Sequence, residues 1–459
     1  MMASLRRKAY DKLLAWKNDS NGASAILING ARRVGKSYLA EEFARNEYDD
    51  YTIIDFSNID PSVLTSFEDY NGNIGDFLNK LSVSIGRTMP ERRSLIIFDE
   101  VQLYPKARQM IKFLVKDGRY DYIETGSLMS IRTNVENIVI PSEEEDLFLY
   151  PLDFEEFLWA LGNETAMPYL RDCMEHLQPV GEKLHQTIMG LFRKYMIVGG
   201  MPQAVEAFVE SNDFEKAESV KRRILTLYRK DIARFARGYE ARVTGIFDTI
   251  PSELNRKEKS YRITSIGKNA RNRDYEDAFL WLNDAMVVNT CVNATDPRIG
   301  LNMNLGMTKQ KIYMADTGLL ITKCLNDDEF VGDEVYKSLL LGKLGINEGM
   351  FAENVVAQCL KANGHNLFFY SRPPSPKGRS DGLDEDSWDS AIGIDFLIRQ
   401  RRKICALEVK SSERIRHDSL DRFSSRFGKV LGQSYVLCTK DIKVEDGIVY
   451  LPLYTASLL

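Results

Sequence analysis

The chain has 459 residues, 44% of them hydrophobic and 28% charged, and a net charge of −5. That length suits about three domains of ~150 residues, and the balance is that of a soluble globular protein, with too few basic residues for indiscriminate nucleic-acid binding. No apolar run approaches the ~18 residues of a membrane span, and the basic start lacks the apolar stretch of a signal peptide, so no membrane contact is expected.

Cysteines 173, 291, 324, 359, 405 and 438 are far apart, with no CxxC spacing. Neither a disulfide framework nor a zinc site is indicated, and the expected location is the reducing cytoplasm.

Residues 1–19 read as a short amphipathic helix. "SAILIN" (24–29) follows as a strand, then "GARRVGKS" and the helical "SYLAEEFAR" (37–45). From Gly30 to Ser37 the loop fits Gly-x-x-x-x-Gly-Lys-Ser, between the strand and helix that such a loop requires. Backbone N–H groups of Gly30, Ala31, Arg32, Arg33, Val34, Gly35, Lys36, Ser37 and Tyr38 would wrap a phosphate, aided by the helix dipole. Lys36 would place a cation on the β- and γ-phosphates, and the Ser37 hydroxyl would take a magnesium position.

"YTIIDFS" (51–57) and "RSLIIFDEVQ" (93–102) read as further core strands. The second ends in Asp99, placed to bind magnesium, and Glu100, placed to orient and polarise an attacking water. "YDYIETGS" (120–127) is a fourth strand, whose tip residue Thr125 would sense the γ-phosphate. Strands alternating with helices, with each motif at a strand's C-terminal end, form the doubly wound α/β pattern.

"GARRVGKS", "DEVQ", "TGS" and "YPLDFEEFL" (150–158) together resemble a prokaryotic AAA-type P-loop ATPase family. The resemblance implies ATP rather than GTP, with Mg²⁺, and no Asn/Thr-Lys-x-Asp element for guanine is present. "VGGMPQAVEAF" (198–208) is similar to the family's Gly-Gly-x-Pro element, which would put Pro202 near adenine.

Helical periodicity over about 153–245 reads as a lid, within which Arg234 or Arg237 could serve as an arginine finger, for its own ATP or a neighbour's in a homo-oligomer. Residues 221–274 carry 15 Lys/Arg against 6 Asp/Glu, a surplus suited either to an anionic partner or to solvated helix faces. "YRITSIGKNARNRDYEDAFLWLNDAMVVNTCVNA" (261–294) reads as a helix–turn–helix followed by a strand, similar to the family's winged-helix-like insert. Asp316 in "KIYMADTGLL" is a turn residue.

At the C-terminus, "INEGMFAENVVAQCLKANG" is a helix carrying Glu353. "NLFFYSR", "IGIDFLIRQ" and "KICALEVKS" are strands, the last two joined by the tight turn "QRRK". Pairing Arg399 with Ile404 sets Asp395 opposite Glu408, and Glu408 shares a face with Lys410. Such carboxylates with a lysine suit Mg²⁺-assisted hydrolysis of a phosphodiester.

The order α-β-β-β-α-β with Glu353, Asp395, Glu408 and Lys410 resembles the restriction-endonuclease-like PD-(D/E)xK superfamily, with Ile394 where its name has proline. That resemblance implies Glu353, Asp395 and Glu408 as metal ligands, Glu408 and Lys410 as catalytic residues, and double-stranded DNA as the partner.

The expected organisation is thus a doubly wound P-loop core (1–155), a helical lid (156–245), a winged-helix-like module (246–345) and an α/β restriction-endonuclease-like domain (346–459). The expected activity is ATP hydrolysis with a nuclease-like domain acting on or binding DNA. The alternative is a nucleotide-dependent switch whose nuclease-like domain is an interaction platform.

Overall fold

A computed structural model describes residues 5–127, 141–256, 260–268, 270–299, 301, 305–325, 336, 348–373, 391–412 and 415–459. The Pro/Ser/Asp-rich segment 373–390, before the strand that carries Asp395, falls outside them from 374 onward. The chain forms two compact units: Met2–Tyr150 with Asp284–Met286, and Pro151–Asn283 with Val287–Leu459.

The first unit holds a parallel sheet of β1 (Ala25–Gly30), β2 (Asp50–Asp55), β3 (Ser94–Asp99), β4 (Asp121–Gly126) and β5 (Glu144–Leu149) in the order β2-β3-β4-β1-β5. The inner strands β1, β3 and β4 are buried almost throughout because both faces are covered, whereas the edge strands β2 and β5 are partly exposed. Ala25, Leu27, Ile96 and Phe98 pack on one side with Phe67, Phe77 and Ile111. Ile26, Ile28, Leu95 and Ile97 pack on the other with Leu13, Leu39 and Phe43. Strand β4 lies between β1 and β3, so its C-terminal tip falls between the glycine-rich loop and the acidic strand end.

The second unit centres on a mixed eight-stranded sheet, β12-β13-β11-β10-β9-β8-β6-β7. Its strands are β6 (Val288–Ala294), β7 (Leu305–Met314), β8 (Leu367–Arg372), β9 (Ile392–Gln400), β10 (Lys403–Val409), β11 (Leu431–Cys438), β12 (Lys443–Glu445) and β13 (Ile448–Pro452). Strands β8, β9 and β10 are antiparallel neighbours, and β11 runs parallel to β10. Arg399 pairs with Ile404 across the β9–β10 turn.

The structure groups the middle of the chain differently from the sequence. Strands β6 and β7, expected inside a separate 246–345 module, extend the C-terminal sheet through the parallel β6–β8 ladder. Among the described residues 260–284, one helix, Glu276–Asp284, follows two single-turn helices, so the first helix of a helix–turn–helix is not formed there.

The helices expected as a lid are knit to the same sheet. His185 uses both ring nitrogens, on the Tyr454 hydroxyl at 2.9 Å and the Thr439 carbonyl at 3.0 Å. The buried Gln358 amide donates to the Tyr195 hydroxyl at 2.9 Å and accepts from Thr317. Buried polar groups of this kind are costly to separate, so they join helices and sheet into one packed body.

Candidate functional site

The loop after β1 is shaped by two constraints. Gly35 has φ 98° and caps the helix Lys36–Glu47, a left-handed conformation that suits glycine. Gly30 lies so close to the next strand that a Cβ would sit 2.5 Å from the Leu149 carbonyl oxygen. Arg33 also holds positive φ, at 69°. Such backbone at a non-glycine residue costs energy and persists where surrounding structure enforces it.

Ala31 and Val34 turn into the core, whereas Arg32, Arg33, Ser37 and Tyr38 are exposed. The Lys36 ammonium, largely buried, donates to the carbonyls of Gly30 and Ala31 at 3.0 and 3.1 Å.

An unforeseen residue braces this loop. The Arg7 guanidinium donates to the Val34 carbonyl at 3.1 Å and to the Tyr150 carbonyl at 2.6 Å, tying the loop to the end of β5. No local motif marks Arg7, whose partners lie 27 and 143 residues away.

Three strand ends supply the polar groups. The Ser37 hydroxyl donates to Asp99 Oδ1 at 2.7 Å, and the buried Thr125 hydroxyl donates to the same oxygen. The Glu100 N–H donates to the Thr125 hydroxyl oxygen at 3.4 Å. Glu100 sits at φ 53°, and its carboxylate accepts from the Gln102 side-chain amide. The donor set is therefore a hydroxyl and a carboxylate oxygen side by side, with a second carboxylate one residue on, which fits a hard cation that prefers oxygen ligands.

Pro202 is in the other unit, where it opens the helix Pro202–Ser211. The glycines before it pack tightly. A Cβ on Gly200 would lie 2.1 Å from the Leu152 carbonyl oxygen, and one on Gly199 would lie 2.3 Å from Asp316 Oδ1. Asp316 caps the helix Thr317–Cys324 and accepts from the Gly200 N–H at 2.6 Å. "VGGMP" and "ADTG" thus interlock.

The basic stretch 221–274 is partly spent inside the protein. Lys221 is buried beside Glu218 at 3.1 Å, which also pairs with Arg222; Arg229 pairs with Asp248, and Arg256 with Glu253. Arg234 and Arg237 are exposed around the C-terminal end of the helix Phe214–Phe235, in the second unit.

The C-terminal acids do not meet as one metal cluster. Among the described residues no three His, Cys, Asp or Glu side chains are grouped to hold an ion. Glu353 and Asp395 instead share a cation absent from the expected set. Lys311 Nζ stands 2.9 Å from Glu353 Oε2 and 3.7 Å from Asp395 Oδ1. Asp395 Oδ2 is turned to the Val409 N–H at 3.1 Å. Glu408 faces Lys410 at 3.4 Å. The β8–β9 ladder also shifts register between Phe368 and Tyr370, which pair with Leu397 and Ile394, so the shift falls beside Asp395.

Residues 23–158 match the model of the AAA domain family. Residues 189–329 match a domain of unknown function, DUF8612, and 348–456 match another, DUF4143. Among curated proteins none matches the chain. Solved structures that resemble it include a Walker-type ATPase of Pyrococcus abyssi, at 14% identity over 70% of this chain and 96% of that one, with a TM-score of 0.41. Another is the Pif1 helicase of Candida albicans, at 13% identity over 35% and 44% of the two chains, with a TM-score of 0.23. The phosphate loop, the Asp99–Glu100 pair and Thr125 stand at the C-terminal ends of three parallel strands, inside residues 23–158, the span that matches the AAA domain model.

Proposed function

We propose that the first unit binds Mg²⁺–ATP on the Gly30–Tyr38 loop and hydrolyses its terminal phosphate. The observation that carries this reading is the convergence of the Ser37 and Thr125 hydroxyls on one Asp99 oxygen, at the end of the loop that carries Lys36. A bound triphosphate would draw that ammonium from the carbonyls of Gly30 and Ala31, its present acceptors. Ser37 and Asp99 would hold magnesium, which supplies charge neutralisation on the phosphate oxygens. Glu100 orients the attacking water and accepts its proton. Its hydrogen bond from Gln102 holds the carboxylate in a fixed rotamer until water takes that place.

The function that follows is a nucleotide-dependent switch, with the second unit as the part that engages a partner. Phosphate release from purified protein tests it. Lys36→Ala should abolish turnover and the heat of Mg²⁺–ATP binding. Glu100→Gln should keep binding and lower turnover by about 10²–10⁴-fold, the usual worth of a positioned general base. Full turnover in Glu100→Gln would remove Glu100 from the reaction.

A second reading is favoured by one observation: Asp395 and Glu408 lie on adjacent antiparallel strands, with Lys410 beside Glu408, in the order α-β-β-β-α-β. On that reading Glu353, Asp395, Glu408 and Lys410 cut double-stranded DNA with a divalent ion. Plasmid nicking in Mg²⁺ or Mn²⁺ that Asp395→Ala abolishes would support it.

A further inference from the structure

The pair Glu353–Asp395 is held in a way that a metal site is not. Asp395 is almost wholly buried, with 3% of its side chain exposed, and Lys311 has 7% exposed. A carboxylate at that depth costs several kcal/mol unless a cation or donors compensate it. Here the chain itself supplies compensating groups. Lys311 reaches from β7, and its Nζ also lies 5.8 and 5.6 Å from the ring centres of Tyr313 and Phe369. The Tyr313 hydroxyl donates at 2.9 Å to the same Glu353 oxygen that Lys311 holds. The Val409 N–H takes the far oxygen of Asp395.

We propose that Lys311 is the resident cation of this acid pair, and that the pair takes no divalent ion while Lys311 is in place. An ammonium this close to both carboxylates occupies the position a shared ion would need. Like charges repel strongly where water is scarce, so ion and ammonium are alternatives.

The test uses the full chain without nucleotide, carrying Asp99→Asn so that the ATPase site takes up little metal, and reads Mn²⁺ binding by electron paramagnetic resonance. No stoichiometric uptake up to roughly 1 mM is expected, the weak end of protein affinities for such ions. Lys311→Met should gain one Mn²⁺ per chain, and adding Asp395→Asn should remove it. Stoichiometric Mn²⁺ on the chain with Lys311 intact, lost with Asp395→Asn, would overturn the proposal and leave the nuclease reading standing. Lys311→Met that folds and takes up no ion would also overturn it.

Should Lys311→Met fail to fold, Lys311→Arg keeps the charge and should fold without binding Mn²⁺; a stoichiometric site in that variant counts against the proposal. Turnover of ATP is measured in chains with Asp99 intact, so failure of the ATPase reading is seen separately.

Discussion

Ser37 donates its hydroxyl proton to Asp99 Oδ1 at 2.7 Å, across the gap between the ends of β1 and β3, and Thr125 closes the gap from β4. The two hydroxyls hold the carboxylate in one orientation, so it reaches a ligand site without first losing rotamer freedom. Asp99→Asn keeps the shape and removes the charge. Turnover should fall by at least about 10²-fold, the loss expected when a group that stabilises transition-state charge is removed. The rise in melting temperature on adding Mg²⁺–ATP should shrink more than the rise on adding ATP with a chelator. Equal losses in both would place Asp99 outside the metal site.

Arg7 gives a second prediction. Its guanidinium satisfies a loop carbonyl and the last carbonyl of the strand exit, and each charge-assisted bond is worth about 1.5–3 kcal/mol. Arg7→Met leaves both oxygens to water and frees the loop to sample other shapes. If about 1.4 kcal/mol of this stabilisation serves the bound loop shape, affinity for Mg²⁺–ATP falls about tenfold. Calorimetry should show that loss, and Arg7→Lys, which can satisfy one carbonyl at a time, should recover part of it. Unchanged affinity in Arg7→Met would reduce Arg7 to a packing residue.

What could be read in advance follows from how local each feature is. Gly30 to Ser37 is a continuous loop whose chemistry is carried by neighbours in sequence, and the Arg399–Ile404 register is dictated by a turn of a few residues. Lys311 and Arg7 could not be found this way, because their roles arise only when distant strands are brought together. The same holds for β6 and β7: their sequence attaches them to the preceding module, whereas hydrogen bonding joins β6 to β8 and β7 to β6. Gly199 and Gly200 were visible as a motif and read as part of a nucleotide-base element. Their measurable constraint in the structure is contact with Asp316 and Leu152.

That contact makes Gly200 a sharp probe of the second unit. The Leu152 N–H donates to the Gly200 carbonyl at 2.7 Å, and a methyl group on Gly200 would fall 2.1 Å from the Leu152 carbonyl oxygen. The obstacle is backbone, which cannot rotate aside as a side chain does. Gly200→Ala should destabilise by at least the ~1–3 kcal/mol of ordinary overpacking. A thermal melt should register a drop of several degrees, and one at parental temperature would mean that this packing relaxes freely.

A buried acid in the five-stranded sheet ties stability to pH. Glu124 on β4 is fully buried, and among the described residues no hydrogen-bond donor reaches either carboxylate oxygen. Burial pushes its pKa well above the usual glutamate range, and the nearby Glu144 pushes the same way, while Arg108 opposes them. Arg108 is already committed to Glu144 through two bonds, at 2.9 and 2.5 Å, so its help to Glu124 is limited. The folded chain therefore keeps a proton that the unfolded chain gives up. Between the unfolded and folded pKa values the native state binds more protons, so stability falls as pH rises through that window. The proton-linked stabilisation is complete below the unfolded value and lost above the folded one. Glu124→Gln, of equal size and always neutral, should melt near the parental temperature at mildly acidic pH. Its advantage should grow toward pH 8 as the parent loses stability. Parallel melting curves for the two proteins from pH 5 to 8 would mean that Glu124 does not change its protonation between the folded and unfolded states in that range.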